Sequence, residues 1–565
     1  MSQTPQPHSD RNQPMAANGD LDSWWKHGVI YQIYPRSFQD NNGDGVGDIV
    51  GITSRLPYLQ SLGVTAIWIS PFFKSPMKDF GYDVENHRDI DPLFGNLDDF
   101  DNLIEQAHTC GIRIMIDLVL SHTADTHAWF ESARSGRGSQ WEDCFVWADP
   151  KEDGGPPNNW LSVFGGPSWT FEPKRNQYYL HNFLDSQPDL NFHSPTVQKE
   201  ALAIAQWWLE RGVDGFRLDT VNFYFHDRAL RDNPIAPHPD DQVVTADNPY
   251  SLQDHIHDKN QPQVCGFLSD LGSLLAEYPG SIALGEVGAT EERARDLMQQ
   301  YQQPGRLHLC YTFDLLSPQY SANHFRKVLA RDATEASDVW RCIAFSNHDV
   351  QRAATRLNLT EAPTEALASN AVALLLSLRG TPCIYQGEEL GLTEANIPYD
   401  ELVDPYGIAF WPKYKGRDGC RTPMPWQHDH AQAGFTESSH KPWLPIPAEH
   451  REKAANLQQE KTDSLFQQTK ELIAIHRHHA AFHSEHIDVL DSPDELLVFE
   501  RGTGEESILC VFNLSDKAID FATPSKWCRA STLQCGGTIH TETDQDTSRY
   551  EPWSWCLLAS QSNAC

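Results

Sequence analysis

Apolar residues along this chain recur in two alternating periods. Phe100, Leu103, Ile104 and Ala107 fall at i, i+3, i+4 and i+7, the stripe of an amphipathic helix. The stripe breaks at Cys110-Gly111, and the run Ile112-Arg113-Ile114-Met115-Ile116-Asp117-Leu118-Val119 follows. Ala201, Ile204, Ala205 and Trp208 repeat the stripe, Gly212 ends it, and Val213-Asp214-Gly215-Phe216-Arg217-Leu218-Asp219 follows. Leu59 and Leu62 lead through Gly63 into Val64-Thr65-Ala66-Ile67-Trp68-Ile69. Helix, closing glycine and buried strand, in that order, predict a parallel sheet covered by helices. Further strands are expected at Val29–Tyr34, Ile282–Leu284 and Cys342–Phe345, and from Tyr311 and Pro382, eight in all.

Two architectures use this alternation. A doubly wound nucleotide-binding sheet wants G-x-G-x-x-G after its first strand, whereas Gly43, Gly45 and Gly47 lie in an Asp/Asn-rich loop. A (β/α)8 barrel carries its chemistry at the C-terminal ends of its strands. There this chain places Asp117 and His122, Asp219, Glu286, and His348-Asp349. The expected fold class is therefore α/β, a (β/α)8 barrel. Residues 123–189, rich in Trp, Pro, Gly and Asn, are too long for an ordinary connection and read as an inserted subdomain after strand three. Residues 225–263 are a second long excursion. After the helix Leu465–Ala480, short strands at Leu496–Phe499, Ile508–Leu514 and Trp553–Leu558 predict a C-terminal antiparallel β-sandwich. The expected division is a disordered N-terminus at 1–22, the barrel at 23–122 and 190–482, the insertion at 123–189, and the sandwich at 483–565.

Composition narrows the function. Of 565 residues, 44 are Lys or Arg and 78 Asp or Glu, a net charge of −34, which argues against nucleic acid as a partner. No window nears 18 consecutive apolar residues, and no basic start with an apolar run opens the chain, so neither a membrane span nor a signal peptide is expected. The 12 Cys lack metal-type spacing and read as reduced, mostly buried thiols of a cytoplasmic enzyme. His476, His478 and His479 on one helix read as solvated rather than as ligands.

Asp219, Glu286 and Asp349 each end a different predicted strand. Glycoside cleavage with retention needs an ionised nucleophilic carboxylate and a protonated acid/base carboxyl about 5–5.5 Å apart. Arg217, two residues before Asp219 in an extended strand, faces the same side and would keep Asp219 ionised.

These residues sit in recognisable segments. Gly215-Phe216-Arg217-Leu218-Asp219-Thr220 resembles the nucleophile motif of the α-amylase family of glycoside hydrolases. Asp117–His122 resembles its motif after strand three, Gly285-Glu286-Val287 its acid/base motif, and Ser346-Asn347-His348-Asp349 its transition-state carboxylate motif. Trp24-Trp25-Lys26, Tyr31–Phe38 and Gly416–Trp426 are similar to the α-glucosidase and oligo-1,6-glucosidase branch. The resemblance implies that Asp219 attacks the anomeric carbon, Glu286 protonates the leaving oxygen and then activates water, and Asp349 holds the distorted ring. It implies that Asp79 and Arg417 fix the terminal glucose, which gives exo action. His122 and His348 then bind hydroxyls, Tyr82 stacks on the sugar, and Phe164 and Phe183 line the pocket near the scissile bond; Asp83 reads as structural. Within the branch, Val after the nucleophile goes with α-1,6 cleavage and Thr or Ala with α-1,4 cleavage, so Thr220 implies α-1,4.

Many members carry Asn before the motif histidine as a calcium ligand; here it is Ser121, and that site is not expected. The loop Asp40–Asp48 instead sets oxygen side chains at alternate positions, with Gly45 for a sharp turn. Position twelve is Gly51 rather than Glu, so it is not an EF-hand. The resemblance implies a structural Ca2+ or Mg2+ on Asp40, Asn42, Asp44, Val46 and Asp48; a plain Asx/Gly turn is the alternative. No organic cofactor is implied. The expected activity is a retaining α-glucosidase acting on short malto-oligosaccharides or sucrose-like glucosides, with transfer to hydroxyl acceptors, as a monomer or homodimer. Same-fold alternatives are trehalose synthase, sucrose phosphorylase or an isomaltulose-forming enzyme; a catalytically inactive binding protein is the alternative of another class.

Overall fold

A computed structural model describes residues 23–560 except 239–243, 245–246, 335–338, 359–361, 438, 528–529 and 542–546. The N-terminal segment expected to be disordered lies outside the described residues. Eight short parallel strands carry the architecture: β1 (Ile30–Ile33), β2 (Ala66–Ile69), β3 (Arg113–Leu118), β4 (Gly215–Leu218), β5 (Ile282–Val287), β6 (Leu309–Thr312), β7 (Cys342–Ile343) and β8 (Thr381–Tyr385). With their helices they are the complement of a (β/α)8 barrel, the class predicted. The chain forms two compact units, one built from Thr65–Glu286 and Pro304–His308, the other from Trp25–Val64, Val287–Gln303 and Leu309 onward.

In the first unit β2, β3, β4 and β5 pair in parallel. Every residue of β3 and β4 is buried, as their apolar runs demand. The register sets Asp117 opposite Arg217, and Arg217 opposite Leu284. Gly215 is required there, since a Cβ would meet the Ile282 carbonyl oxygen at 2.8 Å. The helix Leu97–Thr109 starts in a capping box of Asn96 and Asp99 and buries Phe100, Leu103, Ile104 and Ala107. Gly212 closes helix Pro195–Arg211 at φ 107°, in the left-handed region. The insertion follows β3 and runs back into helix Pro195–Arg211, its two ends joined by a β-bridge between His122 and Asp189. Inside it, strands Trp147–Ala148, Gln177–Leu180 and Trp169–Glu172 form an antiparallel sheet over Val146, Trp160 and Trp169.

In the second unit β1 pairs with β8, and β8 with β7. Its C-terminal part has a five-stranded antiparallel sheet and a three-stranded one, whose inner faces share a core of Leu496, Val498, Leu509, Val511, Phe521, Trp527 and Tyr550. This is the predicted sandwich. One histidine reading is corrected. His476 is buried, with Nδ1 2.9 Å from the Leu376 carbonyl, because its helix packs that face on the barrel helices; His478 is exposed. The ten described cysteines are free thiols, seven of them buried. No helix among the described residues is long and apolar enough to cross a membrane.

Candidate active site

The centre of the first unit's site is one buried guanidinium. Arg217 Nη1 donates to Asp117 Oδ1 at 2.6 Å and to Asp219 Oδ1 at 2.5 Å, and Nη2 lies 2.7 Å from Glu286 Oε1. The sequence predicts the Asp219 contact from the two-residue period. The Asp117 contact follows from strand register, and the Glu286 contact from the neighbouring strand β5. Burial raises the Asp117 carboxyl above its ordinary range, and Arg217 offsets only part of that rise. Asp117 Oδ2 also accepts from Trp68 Nε1 at 3.0 Å and from the Tyr82 hydroxyl at 3.1 Å. Tyr82 is thereby tied to the end of β3.

Beyond Asp219 the backbone turns through Thr220 at φ 41°, a strained value for a β-branched residue. The turn aims the Thr220 N–H at Glu286 Oε2, 3.0 Å away. The Thr220 hydroxyl lies 3.1 Å from Ser121 Oγ and 3.3 Å from Asp219 Oδ2. Ser121 thus meets both Thr220 and the Nδ1 of His122, at 2.9 Å.

Asp79 and His122 meet through a residue the sequence reading missed. Gln187 donates Nε2–H to Asp79 Oδ2 at 3.1 Å and lies 3.1 Å from His122 Nε2. Burial lowers His122 to about 4, so its imidazole is neutral at physiological pH. Phe183 packs 5.1 Å from the His122 ring and 6.3 Å from Phe164, with both phenyl rings half-buried. Asp83 accepts from the Ser75 hydroxyl and from the N–H groups of Lys78 and Asp79, bracing the turn that carries Asp79 and Tyr82.

The second unit carries Asp349, His348 and Arg417. Asp349 Oδ1 lies 3.2 Å from Arg417 Nη1 and 2.9 Å from Arg421 Nη2. Arg421 Nε donates to the His348 carbonyl at 2.7 Å, so one guanidinium fixes both residues of the motif. His348 stacks on Tyr34 at 5.7 Å, with Nδ1 2.8 Å from Gln32 Nε2. Arg417 is held from behind by Asp404: its N–H and Nη2 each lie 2.7 Å from an Asp404 oxygen. Burial works against ionisation of Asp404, but the charges of Arg417 and Arg421 hold it down at about 2. Gln187 and Asp404 carry no local signal; Arg421 lies in the Gly416–Trp426 segment, but only the fold shows what it holds.

The Asp40–Asp48 loop, expected either to hold a cation or to form an Asx/Gly turn, is laced by its own backbone amides. The donor chemistry suits a hard cation, but backbone amides engage it. Asp40 accepts from the N–H groups of Gly43 and Gly45, Asp48 from those of Asn41, Asn42 and Gly51, and Asp44 from that of Val46. Among the described residues no group of three His, Cys, Asp or Glu is placed to hold a metal ion. These bonds are those of Asx/Gly turns. Gly45, at φ 93°, is needed because a Cβ would meet the Lys441 carbonyl oxygen at 2.5 Å.

A family model described as the catalytic domain of α-amylase matches residues 32–485. A probable α-glucosidase of Rhizobium meliloti (strain 1021) is 51% identical over 527 residues, 93% of this chain and 95% of that one. An oligo-1,6-glucosidase of Heyndrickxia coagulans is 34% identical over 542 residues, 89% of this chain and 94% of that one. Among solved structures, an α-glucosyl transfer enzyme, XgtA, matches with a TM-score of 0.90 at 48% identity, over 95% of this chain and 99% of that one. A mutant isomaltulose synthase from Erwinia rhapontici NX5, solved with its natural substrate sucrose, matches with a TM-score of 0.86 at 30% identity, over 96% and 100% of the two chains.

Proposed function

The chain belongs to the α-amylase catalytic-domain family as a glycoside hydrolase of the α-glucosidase branch, and from that premise we propose an exo-acting, retaining enzyme of the cytoplasm. It releases α-glucose from the non-reducing ends of short α-1,4-glucosides and passes glucose to other hydroxyl acceptors. The observation that supports this most is the Arg217 fork, which bonds Asp219 and Glu286 at once.

Two carboxyl groups on one guanidinium are held close, as a double displacement requires. Asp219, ionised against Arg217, attacks the anomeric carbon and forms a glucosyl ester. Glu286, steered by the Thr220 N–H, protonates the leaving oxygen and then takes a proton from the incoming water or acceptor hydroxyl. The family resemblance assigns the grip on the terminal glucose to Asp79, Asp349 and Arg417, its hydroxyls to His122 and His348, its face to Tyr82, and the neighbourhood of the scissile bond to Phe164 and Phe183. The domain limits given from the sequence belong to the same reading. So does a structural divalent cation at Asp40–Asp48; no chemical step passes through it.

Two measurements test the reading. Asp219→Asn keeps the shape, cannot form the ester, and abolishes maltose turnover in a folded protein. Proton NMR of α-glucoside hydrolysis shows α-glucose first; initial β-glucose would reject it. A second reading, net glucosyl transfer or isomerisation, draws on the likeness to the α-glucosyl transfer enzyme and to isomaltulose synthase. Chromatography of products from maltose and sucrose separates the two.

A further inference from the structure

In the five-stranded C-terminal sheet, strand Ser531–Gly536 pairs with Trp555–Ala559, and the register sets Cys535 directly opposite Cys556. Residues directly opposite in an antiparallel pair point to one face, with Cα atoms about 4.5–5.5 Å apart. That separation falls inside the disulfide range of about 4.4–6.8 Å. Strand Ser531–Gly536 is the edge of its sheet, so Cys535 is exposed, while Cys556 is buried in the sandwich core; both are free thiols. Among the described strand registers no other two cysteines face each other.

We propose that Cys535 and Cys556 are a redox modification site, a cross-strand dithiol that a low-molecular-weight disulfide converts reversibly to a protein disulfide. The Cys535 thiolate attacks one sulfur of the small disulfide, expels one thiolate and leaves a mixed disulfide. Cys556 gives its proton to solvent, and its thiolate attacks the Cys535 sulfur and expels the second thiolate. Two protein thiols are oxidised and one small disulfide is reduced to two thiols. Burial pushes the Cys556 thiol up to about 12, so Cys556 resolves the mixed disulfide rather than starting the exchange.

The bond would tie an edge strand to an interior one. The same two strands anchor the sheet to barrel helices: Gln534 Nε2 donates to Glu471 at 2.9 Å, and Trp555 Nε1 to Ser369 Oγ at 2.9 Å. Oxidation therefore stiffens the attachment of the C-terminal sheet as well as its edge.

The full-length protein, incubated folded with oxidised glutathione and then alkylated, gives the test by intact mass and non-reducing peptide mapping. Expected are a loss of two hydrogens, a Cys535–Cys556 linked peptide, reversal by dithiothreitol and a higher melting temperature for the oxidised form. C556S should stop at a glutathione adduct on Cys535, and C535S should form neither the adduct nor the link. A lasting adduct on Cys535 in the wild type would overturn the proposal. So would a bond from Cys535 to Cys528, to Cys565 or to a second molecule, or no modification.

Discussion

Asp404→Asn removes the charge behind Arg417 and little else. Asn is close to Asp in shape and as good an N-cap for the helix Pro405–Phe410, whose Tyr406 N–H Asp404 accepts. What is lost is the paired carboxylate. Asp404 is fully buried and ionised down to about pH 2, so the pair with Arg417 is intact throughout any working range of pH. Neutralising one partner of a buried, hydrogen-bonded pair costs about 3–5 kcal/mol. The amide oxygen keeps one hydrogen bond worth about 1 kcal/mol, leaving roughly 2–4 kcal/mol. Spent on the positioning of Arg417, that is roughly a 30- to 700-fold loss in kcat/KM, at about 1.4 kcal/mol per factor of ten. Initial rates over a range of maltose concentrations separate KM from kcat. If Arg417 grips substrate as proposed and transfers no proton, KM should rise more than kcat falls. Thermal melting should show a lower midpoint. An unchanged kcat/KM together with an unchanged midpoint would refute the idea that Asp404 positions Arg417.

Three further outcomes are expected. Thr220→Val deletes the hydroxyl beside Ser121 and Asp219 and should move the kcat/KM ratio from maltose toward isomaltose by roughly ten-fold, within the 1–3 kcal/mol that one group in a pocket commands; an unmoved ratio sinks the linkage argument. Glu388 is pushed by burial up to about 7, above its ordinary 4.5, against the Tyr385 N–H and the charge of Arg356. The folded protein then holds a proton that the unfolded chain releases, so this stabilisation is complete below about pH 4 and is lost as pH rises to about 7. Urea unfolding at several pH values should show a shallower decline for Glu388→Gln, and parallel curves would show that this carboxyl does not titrate so. Chelator should lower the melting temperature, without loss of activity at moderate temperature, if the Asp40–Asp48 loop takes a cation; an unchanged melt with no metal by elemental analysis leaves it a plain turn.

Legibility followed distance along the chain. Strand starts, glycine caps and the Arg217–Asp219 contact depend on neighbours a few residues away, and period alone predicts them. Gln187 reaches His122 across 65 residues and Asp79 across 108, a meeting set by how the insertion folds back through the His122–Asp189 bridge. No local pattern encodes it. Asp404 is equally silent in sequence, and only the fold makes it a helix cap and an arginine anchor. His476 reads as solvated because it sits in a basic cluster, yet helical rotation separates it from His478 and turns it inward. In the Asp40–Asp48 loop the sequence names oxygen donors but cannot say whether they face an ion or the loop's own amides.

The Arg217 fork also sets a schedule. Before reaction one cation faces three carboxyl groups, those of Asp117, Asp219 and Glu286. In the proposed chemistry, esterification removes the charge of Asp219. The cation then has only Asp117 and Glu286 to answer, and with one neighbouring anion gone Glu286 holds its proton less tightly. On that proposal, the group that must be an acid in the first half-reaction is made a base for the second by the bond formed in the first. On the same proposal the guanidinium acts as a timing element, balancing the charge of Asp219 before the ester forms and that of Glu286 after it.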